Sequence, residues 1–427
     1  MTLAPTTFRL VTLGCKVNQY ESQLVRETLE ANGYRQAVEQ EPAHLCIVNT
    51  CTVTAEADAK ARQLVRQLHR DNPGTAVVVM GCYATRDPQA VSRLPGVAKV
   101  VTNKQQLVQE LTEFGVRSAP RGITRFDGHQ RAFVKVQDGC LLNCTFCIIP
   151  SVRPTMHSRP PDEIIDEVHY LVEHGCQEIV LTGIHLGHYG IDLSKGKPKA
   201  SWVRLWHLID RLSALPGRFR IRLSSLEAAE VRDDLLQSVR GNPRICPHFH
   251  ICLQSGSDSV LGRMKRRYRV RSFLERCRQI REAFDQPALT TDIIVGFPGE
   301  TEVDFQATCT VAREAGFAQM HIFPFSARHG TPAATMRDAV APSVIADRKE
   351  RLACLERELR GRFLRQLIGR SLDVLVEGVD GRRNGSVFGT SCRRVPVTFP
   401  GNAAQIRRIV TVRTRAIEGD RLVGEQC

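Results

Sequence analysis

The chain has 427 residues, 42% hydrophobic and 24% charged, which excludes wholesale disorder and leaves room for two to four domains. It opens with no basic leader and apolar segment, and no later run approaches about eighteen apolar residues, so neither a signal peptide nor a membrane span is expected. Fifteen cysteines, an odd number, and 59 Lys+Arg against 45 Asp+Glu speak against a secreted disulfide scaffold and for the reducing cytoplasm, metal chemistry and a polyanionic partner.

Residues 1–125 alternate strand and helix patterns. The runs 8–13, 45–50 and 76–80 read as short buried strands. Asn18, with Glu21 three residues on, has the spacing of a helix cap after the first strand. Ala61, Leu64, Val65 and Leu68 lay an apolar stripe along a helix over 55–70. Repeated strand–helix units imply a doubly wound parallel α/β sheet. A cysteine follows each strand at once, in Gly14-Cys15, Thr50-Cys51 and Gly81-Cys82. Loops after parallel strands share one edge, where such sheets bind ligands. Helix N-termini at that edge favour thiolate anions. The three cysteines are therefore a candidate metal site, although a small apolar residue also suits such turns. Cys46, inside its strand, and Cys252 further along read as core residues.

Residues 126–362 repeat a strand-then-helix unit six times, with strands at 133–136, 178–181, 219–223, 248–253, 291–295 and 320–324, then a charged connector helix near 344–368. Small, polar and charged residues gather after the strands, on the functional face of a β/α barrel. The first of these loops carries Cys140, Cys144 and Cys147 in CxxxCxxC spacing. Three thiolates on one loop can hold three irons of a [4Fe–4S] cluster and leave the fourth open, whereas ferredoxin-type carriers fill all four positions. A zinc site completed by His157 is the alternative. The triplet resembles that of the radical S-adenosylmethionine (radical-SAM) enzymes, in which the amino acid end of SAM chelates the open iron. That resemblance implies a partial (β/α)6 barrel and gives Thr182 and Gly183 the place of the SAM-amine contact. Ser225, Glu227 and Gln254 fall in later loops that could reach the ribose and methionyl parts.

Residues 363–427 switch to a period of two over 372–377 and 410–417, punctuated by glycines, as in a small β-barrel. Arginine is the basic residue here: Arg393 and Arg394 are adjacent, and Arg413 and Arg415 share one strand face. An RNA-binding barrel is expected, with a solvated basic surface as the alternative. A second basic run, Arg263, Lys265, Arg266 and Arg267, contains Met264 and ends at Tyr268, which could stack beside phosphate contacts.

The order of cysteine-bearing α/β domain, CxxxCxxC barrel and basic β-barrel resembles the methylthiotransferase family of radical-SAM enzymes over nearly the whole chain. The motifs that carry it are Gly14 through Ser22, Asn49 through Thr54, Gly81-Cys82-Tyr83, Cys140 through Pro150, Leu181 through Gly187 and Asp292 through Glu300. The resemblance implies a second [4Fe–4S] cluster on Cys15, Cys51 and Cys82 and a terminal domain of the TRAM type. It implies that the cluster on Cys140, Cys144 and Cys147 reduces SAM to a 5′-deoxyadenosyl radical, which takes a hydrogen from the target carbon. The second cluster would present the sulfur of the methylthio group. No side chain beyond the cluster ligands is singled out as catalytic.

Gly-Cys-Lys-Val-Asn-Gln around Cys15 resembles the branch acting on N6-threonylcarbamoyladenosine at position 37 of tRNA. The isopentenyladenosine branch usually reads Gly-Cys-Gln-Met-Asn, and the branch modifying a ribosomal-protein aspartate reads Gly-Cys-Pro-Lys-Asn. The implied partners are the tRNA anticodon loop, a reducing electron donor and a sulfur source. A non-catalytic iron–sulfur or zinc RNA-binding protein is the reading from a different class. Residues 151–157 depart from the family's Gly/Arg-rich continuation, with fewer arginines and an extra proline.

Overall fold

The N-terminal apolar runs form one parallel five-stranded sheet in the computed structural model, which describes residues 6–427. Its strands are β1 (Thr7–Thr12), β2 (Arg35–Gln36), β3 (Leu45–Thr50), β4 (Ala76–Gly81) and β5 (Val97–Val101), in the order β2-β1-β3-β4-β5. The two edge strands carry little signal in the sequence: β2 is two exposed residues, and Lys99 interrupts the apolar run of β5. Helices α1 (Lys16–Ala31), α2 (Ala55–Asp71) and α3 (Cys82–Arg86) follow β1, β3 and β4. Asn18 does not cap α1, because Cys15 holds that position. Instead the Asn18 amide, buried in the first turn, donates to the carbonyls of Leu13 (2.9 Å) and Thr50 (3.0 Å), tying together the two strand ends that precede Cys15 and Cys51. Glu21 likewise makes no capping box and enters a buried ionic network.

The second unit is built on β6 (Ala132–Asp138), β8 (Glu178–Gly183), β9 (Arg220–Leu223), β10 (His248–His250), β11 (Ala288–Val295) and β12 (Gln319–Pro324), all parallel, with the short β7 (His157–Ser158) antiparallel on β6. Ladders join β6-β8-β9 and β10-β11-β12, and isolated bridges Ile221–Ile245 and Leu226–Ile251 connect the two halves. This is a partial β/α barrel, open between β6 and β12, with α1 packed against β6. Val134, Ile179, Ile221, Phe249 and Ile293 fill the core between strands and helices. Successive strand residues face opposite sides, so Lys135, Glu178, Arg222, His250 and Asp292 face the lumen.

Helix Pro342–Gln366 runs past the expected boundary at residue 362 and leads into a closed barrel of β13 (Ser371–Val379), β14 (Ser386–Ser391), β15 (Pro396–Pro400), β16 (Ile409–Glu418) and β17 (Arg421–Gln426). Its interior is filled by Val374, Val387, Val397, Phe399 and Val412. It docks beneath the larger barrel, where Arg220 donates to the carbonyls of Asp373 (2.7 Å) and Thr390 (2.9 Å), and Arg222 to those of Ser391 (3.1 Å) and Cys392 (2.9 Å). Both guanidiniums also hold Glu178, at 2.6 and 3.0 Å, and Arg131 approaches it at 3.3 Å. Burial alone would raise the Glu178 carboxyl, but Arg220, Arg222 and Arg131 outweigh it and hold the group well below the usual range. No helix among the described residues is long and apolar enough to cross a membrane.

Candidate cluster and cofactor sites

The loop after β6 brings Cys140, Cys144 and Cys147 to the wall of one cleft of about 170 Å3. The loop is braced from its base: the Gln137 side-chain amide donates to the carbonyls of Asp138 and Gly139, both at 2.7 Å. Thr145 ties it to the next basic segment, its hydroxyl donating to the Arg263 carbonyl at 2.9 Å. The sulfurs already attract donors. The Leu142 amide lies 3.4 Å from Cys140 Sγ, Arg266 donates to Cys144 Sγ at 3.2 Å, and His185 Nδ1 is 3.5 Å from Cys140 Sγ. Burial pushes the Cys144 thiol up and that of Cys147 to about 12, so metal loading here must release protons.

Ser225, Glu227 and Gln254 line the same cleft, with Ile184, His185 and Arg266. Glu227 pairs with Arg266 at 3.3 Å. Three sulfurs beside an ion pair and several apolar walls suit a metal cluster with an organic ligand carrying both charge and a base. Thr182 and Gly183 are not on the lining: Thr182 is buried within the end of β8, and Gly183 is pressed against Gln137. Ile184 and His185 supply the wall at that level. His157 sits in β7, paired in register with Asp138, and does not line the cleft to complete a zinc set. Cys252 lines the cleft instead of the core, with its sulfur 3.7 Å from Asp292.

The other three cysteines stand together at the carboxyl edge of the first sheet. Cys15 precedes α1, Cys51 follows β3, and Cys82 begins α3. Two glycines allow this crowding. At Gly14 (φ +118°) a β-carbon would sit 2.9 Å from the Cys51 β-carbon, and at Gly81 (φ +101°) it would meet the Thr50 carbonyl oxygen at 2.3 Å. Burial, with Cys82 and Cys15 as neighbouring charges, raises the Cys51 thiol. This edge faces the barrel. Arg328, after β12, donates to Thr52 Oγ1 (2.9 Å) and Asp58 (2.8 Å), beside Cys51.

Arg153, from the atypical run 151–157, is buried between the two cysteine sets. It donates to Cys82 Sγ (3.4 Å), Asn18 (3.1 Å), Glu21 (2.8 Å) and Asp138 (2.6 Å). Lys135 and Lys104 complete the network, 2.8 and 2.7 Å from Glu21. Nothing in the spacing of Arg153, Arg266 or Arg328 marks them in the sequence, whereas His185 stands in the motif Leu181 through Gly187.

The residues expected to meet RNA divide into several groups. Arg266 is turned inward onto Cys144 and Glu227, so it is not on an RNA-facing surface. Met264 and Tyr268 are buried as well, and the Tyr268 hydroxyl hydrogen-bonds the Cys252 and Leu253 carbonyls at 2.6 and 2.8 Å; they are not a stacking platform. Arg263 is held by the Gly299 carbonyl at 2.9 Å, while Lys265 and Arg267 are exposed. Arg393 tethers the small barrel to the carbonyls of Gln286 (2.8 Å) and Asp285 (2.7 Å). Arg394, in a left-handed turn, lies near Arg222 and Glu178. Arg413 and Arg415 are exposed on either side of buried Thr414, and Arg415 pairs with Glu425.

Comparison with known proteins shows the family. Residues 7–103 match the model of the uncharacterized protein family UPF0004, and residues 134–312 match the Radical SAM superfamily. The threonylcarbamoyladenosine tRNA methylthiotransferase MtaB of Chlamydia pneumoniae is 38% identical over 98% of both chains. The chain belongs to the methylthiotransferase family of radical-SAM enzymes. As such a methylthiotransferase it works with a [4Fe–4S] cluster and SAM. MtaB of Bacillus subtilis is 35% identical over 94% of this chain and 92% of its own. The tRNA-2-methylthio-N(6)-dimethylallyladenosine synthase of Acidothermus cellulolyticus is 34% identical over 99% and 88%. The radical-SAM methyltransferase TsrM from Kitasatospora setae shares the fold alone, with a TM-score of 0.56 and 15% identity over 78% of this chain and 77% of its own.

Proposed function

We propose that this methylthiotransferase adds a methylthio group to C2 of N6-threonylcarbamoyladenosine at position 37, beside the anticodon of tRNA, in the cytoplasm. The observation that carries the reading is the meeting of two cysteine triplets at one junction bridged by the buried Arg153, each triplet with a guanidinium on a sulfur. The MtaB relatives support the choice of nucleoside. Cys140, Cys144 and Cys147 hold the SAM-binding cluster, and Cys15, Cys51 and Cys82 hold a second [4Fe–4S] cluster. When bound, the clusters and SAM supply reductive radical formation and the sulfur that is transferred, with electrons and sulfur from outside donors.

The protein's own residues bind, orient and exclude water. Glu227, Ser225 and Gln254 hold SAM, and Arg266 fixes Glu227 and Cys144 with one planar fork. Leu142, Phe146, Ile149 and Ile184 keep water from the reacting groups. The small C-terminal barrel, in the manner of a TRAM domain, holds the RNA backbone through Arg413 while the target base enters the larger barrel. An anticodon-loop base is already unpaired, so extruding it costs little. Mass spectrometry of tRNA nucleosides from cells lacking the protein tests the reading. The 2-methylthio form of N6-threonylcarbamoyladenosine should vanish and its unthiolated precursor accumulate. Loss of the methylthio dimethylallyl nucleoside instead would move the chain to the branch of the Acidothermus relative.

A further inference from the structure

The lumen of the larger barrel carries a surplus of positive charge that the cluster chemistry does not use. On β10–β12, His248, His250, Asp292 and His321 face inward, because the alternating Phe249, Ile251, Ile293 and Met320 fill the core behind them. At the floor, Arg131, Arg220 and Arg222 share the single carboxylate Glu178, with Arg131 also reaching Glu377. Arg394 enters from the small barrel beside Arg222 and Glu178. From the open side, α1 delivers Lys16 to the same chamber. Burial lowers its ammonium to about 8, with Arg394, Arg222 and Arg131 acting in the same direction and Cys15 against them, and Lys16 and Arg394 both act on His248 and His321.

Five cations thus meet two carboxylates in the lower lumen. Higher up, Asp292 is taken by His250 at 3.3 Å. Lys16 has no hydrogen-bond or ion-pair partner among the described residues. Burial, with Arg222 and Arg394 nearby, holds His248 well below the imidazole range. Water can enter, since Arg394 and His321 are exposed.

We propose that this chamber binds the carboxylate at the end of the N6 substituent of threonylcarbamoyladenosine, with Lys16 as the contacting cation and Arg394 beneath it. The inference rests on the functional reading above and names the group by which the substrate is selected. The threonylcarbamoyl substituent ends in a carboxylate that is ionised at neutral pH, whereas a dimethylallyl substituent is apolar. Lys16 adjoins Cys15, and in adenine C2 and C6 flank the same ring nitrogen. A base presenting C2 to the cysteine edge therefore holds its N6 group close to the Lys16 turn. A site built on unpaired cations rejects an analogue that leaves them unpaired.

The test uses the reconstituted enzyme and two anticodon stem-loop RNAs, one with the free carboxylate and one with that group converted to a neutral methylamide. Dissociation constants and kcat/KM are measured for wild type, Lys16→Gln, Lys16→Arg and Arg394→Gln. Wild type should prefer the carboxylate RNA by about tenfold or more, as for a charge-assisted hydrogen bond. Lys16→Gln should bring the preference towards unity by weakening the carboxylate RNA alone. Lys16→Arg should retain most of the preference, and Arg394→Gln should lower it severalfold. Equal weakening of both RNAs in Lys16→Gln would mean that Lys16 holds a phosphate, and would overturn the inference. So would a preference that neither Lys16→Gln nor Arg394→Gln changes. If Lys16→Gln loads too little iron to assay, Arg394→Gln decides alone, because Arg394 lies in another domain from the cysteines. A wild type that binds the carboxylate RNA but leaves it unmodified would overturn the functional reading, and the inference with it.

Discussion

Arg153 donates from Nε to the sulfur of Cys82 at 3.4 Å. Its own carbonyl accepts the amide of Cys140 at 3.4 Å, so one residue touches a cysteine loop from each domain. The guanidinium is almost fully buried and is neutralised by Glu21 and Asp138. Burial alone would lower it, but Glu21 and Asp138 raise it well above the ordinary arginine value. A guanidinium fixed at this place holds the two cysteine sets at one spacing. The corresponding residue on the other side is Arg266, which donates to Cys144.

Replacing Arg153 by Lys keeps a charge but removes the fork that reaches four partners at once. In a Cys140→Ala, Cys144→Ala, Cys147→Ala background, Arg153→Lys should weaken iron loading of the N-terminal triplet by about 10- to 100-fold, the usual cost of losing a group that orients a ligand. Anaerobic iron titration followed by absorbance reads this directly. An unchanged loading curve would leave Arg153 with a purely structural role.

The two triplets should be separable. Cys140→Ala, Cys144→Ala and Cys147→Ala together should abolish reductive SAM cleavage and lower iron by about four per chain, one cluster's worth. Cys15→Ala, Cys51→Ala and Cys82→Ala together should lower iron by the same amount, keep SAM cleavage and stop methylthio transfer. Continued formation of 5′-deoxyadenosine by the first variant, or full iron content in the second, would overturn the respective assignment.

The sequence already showed the parts of the fold that depend on short-range pattern. Leu45–Thr50 is a fully buried strand that opens with four apolar residues, and α2 follows its i, i+3, i+4 stripe almost to the residue. The alternation after residue 371 is a closed barrel. The CxxxCxxC loop lies where spacing put it because a few chain-local residues determine it. What was not legible depends on the packing of distant elements. Arg266 and Tyr268 look like a basic, aromatic surface in one dimension, yet the turn after Met264 folds them beneath the loop of Cys144. Asn18 looks like a cap until the approach of Thr50 gives its amide a tertiary partner. The partners of Arg153 lie as many as 135 residues away in the chain, and no local pattern announces them.

Glu178 should anchor the small barrel to the large one. It is fully buried with three guanidiniums around it. Glu178→Gln leaves those charges uncompensated and should cost about 3–5 kcal/mol at pH 7, read by urea denaturation. Because the folded-state pKa is depressed, the carboxylate's contribution is complete above the unfolded value of about 4.3. It is lost as pH falls from there through the folded value. The gap between wild type and Glu178→Gln should therefore be constant from pH 7 to about 5 and shrink as the pH falls below about 4. A gap that does not change down to pH 3 would show that the carboxylate is not what holds the interface.

Arg413 and Arg415 bracket Thr414 on the exposed face of β16, but they are not equivalent. Arg415 pairs with Glu425, whereas Arg413 has no acidic partner at salt-bridge distance among the described residues. Removing one arginine from a phosphate should reduce the slope of log K against log salt by roughly 0.7 to 0.9. Arg413→Ala should produce most of that change, and Arg415→Ala less, since Glu425 competes with phosphate for its guanidinium. Glu425→Gln should then strengthen tRNA binding and steepen the salt dependence by freeing Arg415. Binding that weakens equally on all RNA sequences would identify backbone contacts, and weakening confined to one base would identify base reading. If Arg413→Ala and Glu425→Gln both leave affinity and slope unchanged, this face is solvated only, and the RNA must be held at Lys265 and Arg267, which are exposed and flank Arg266 of the Cys140 cleft.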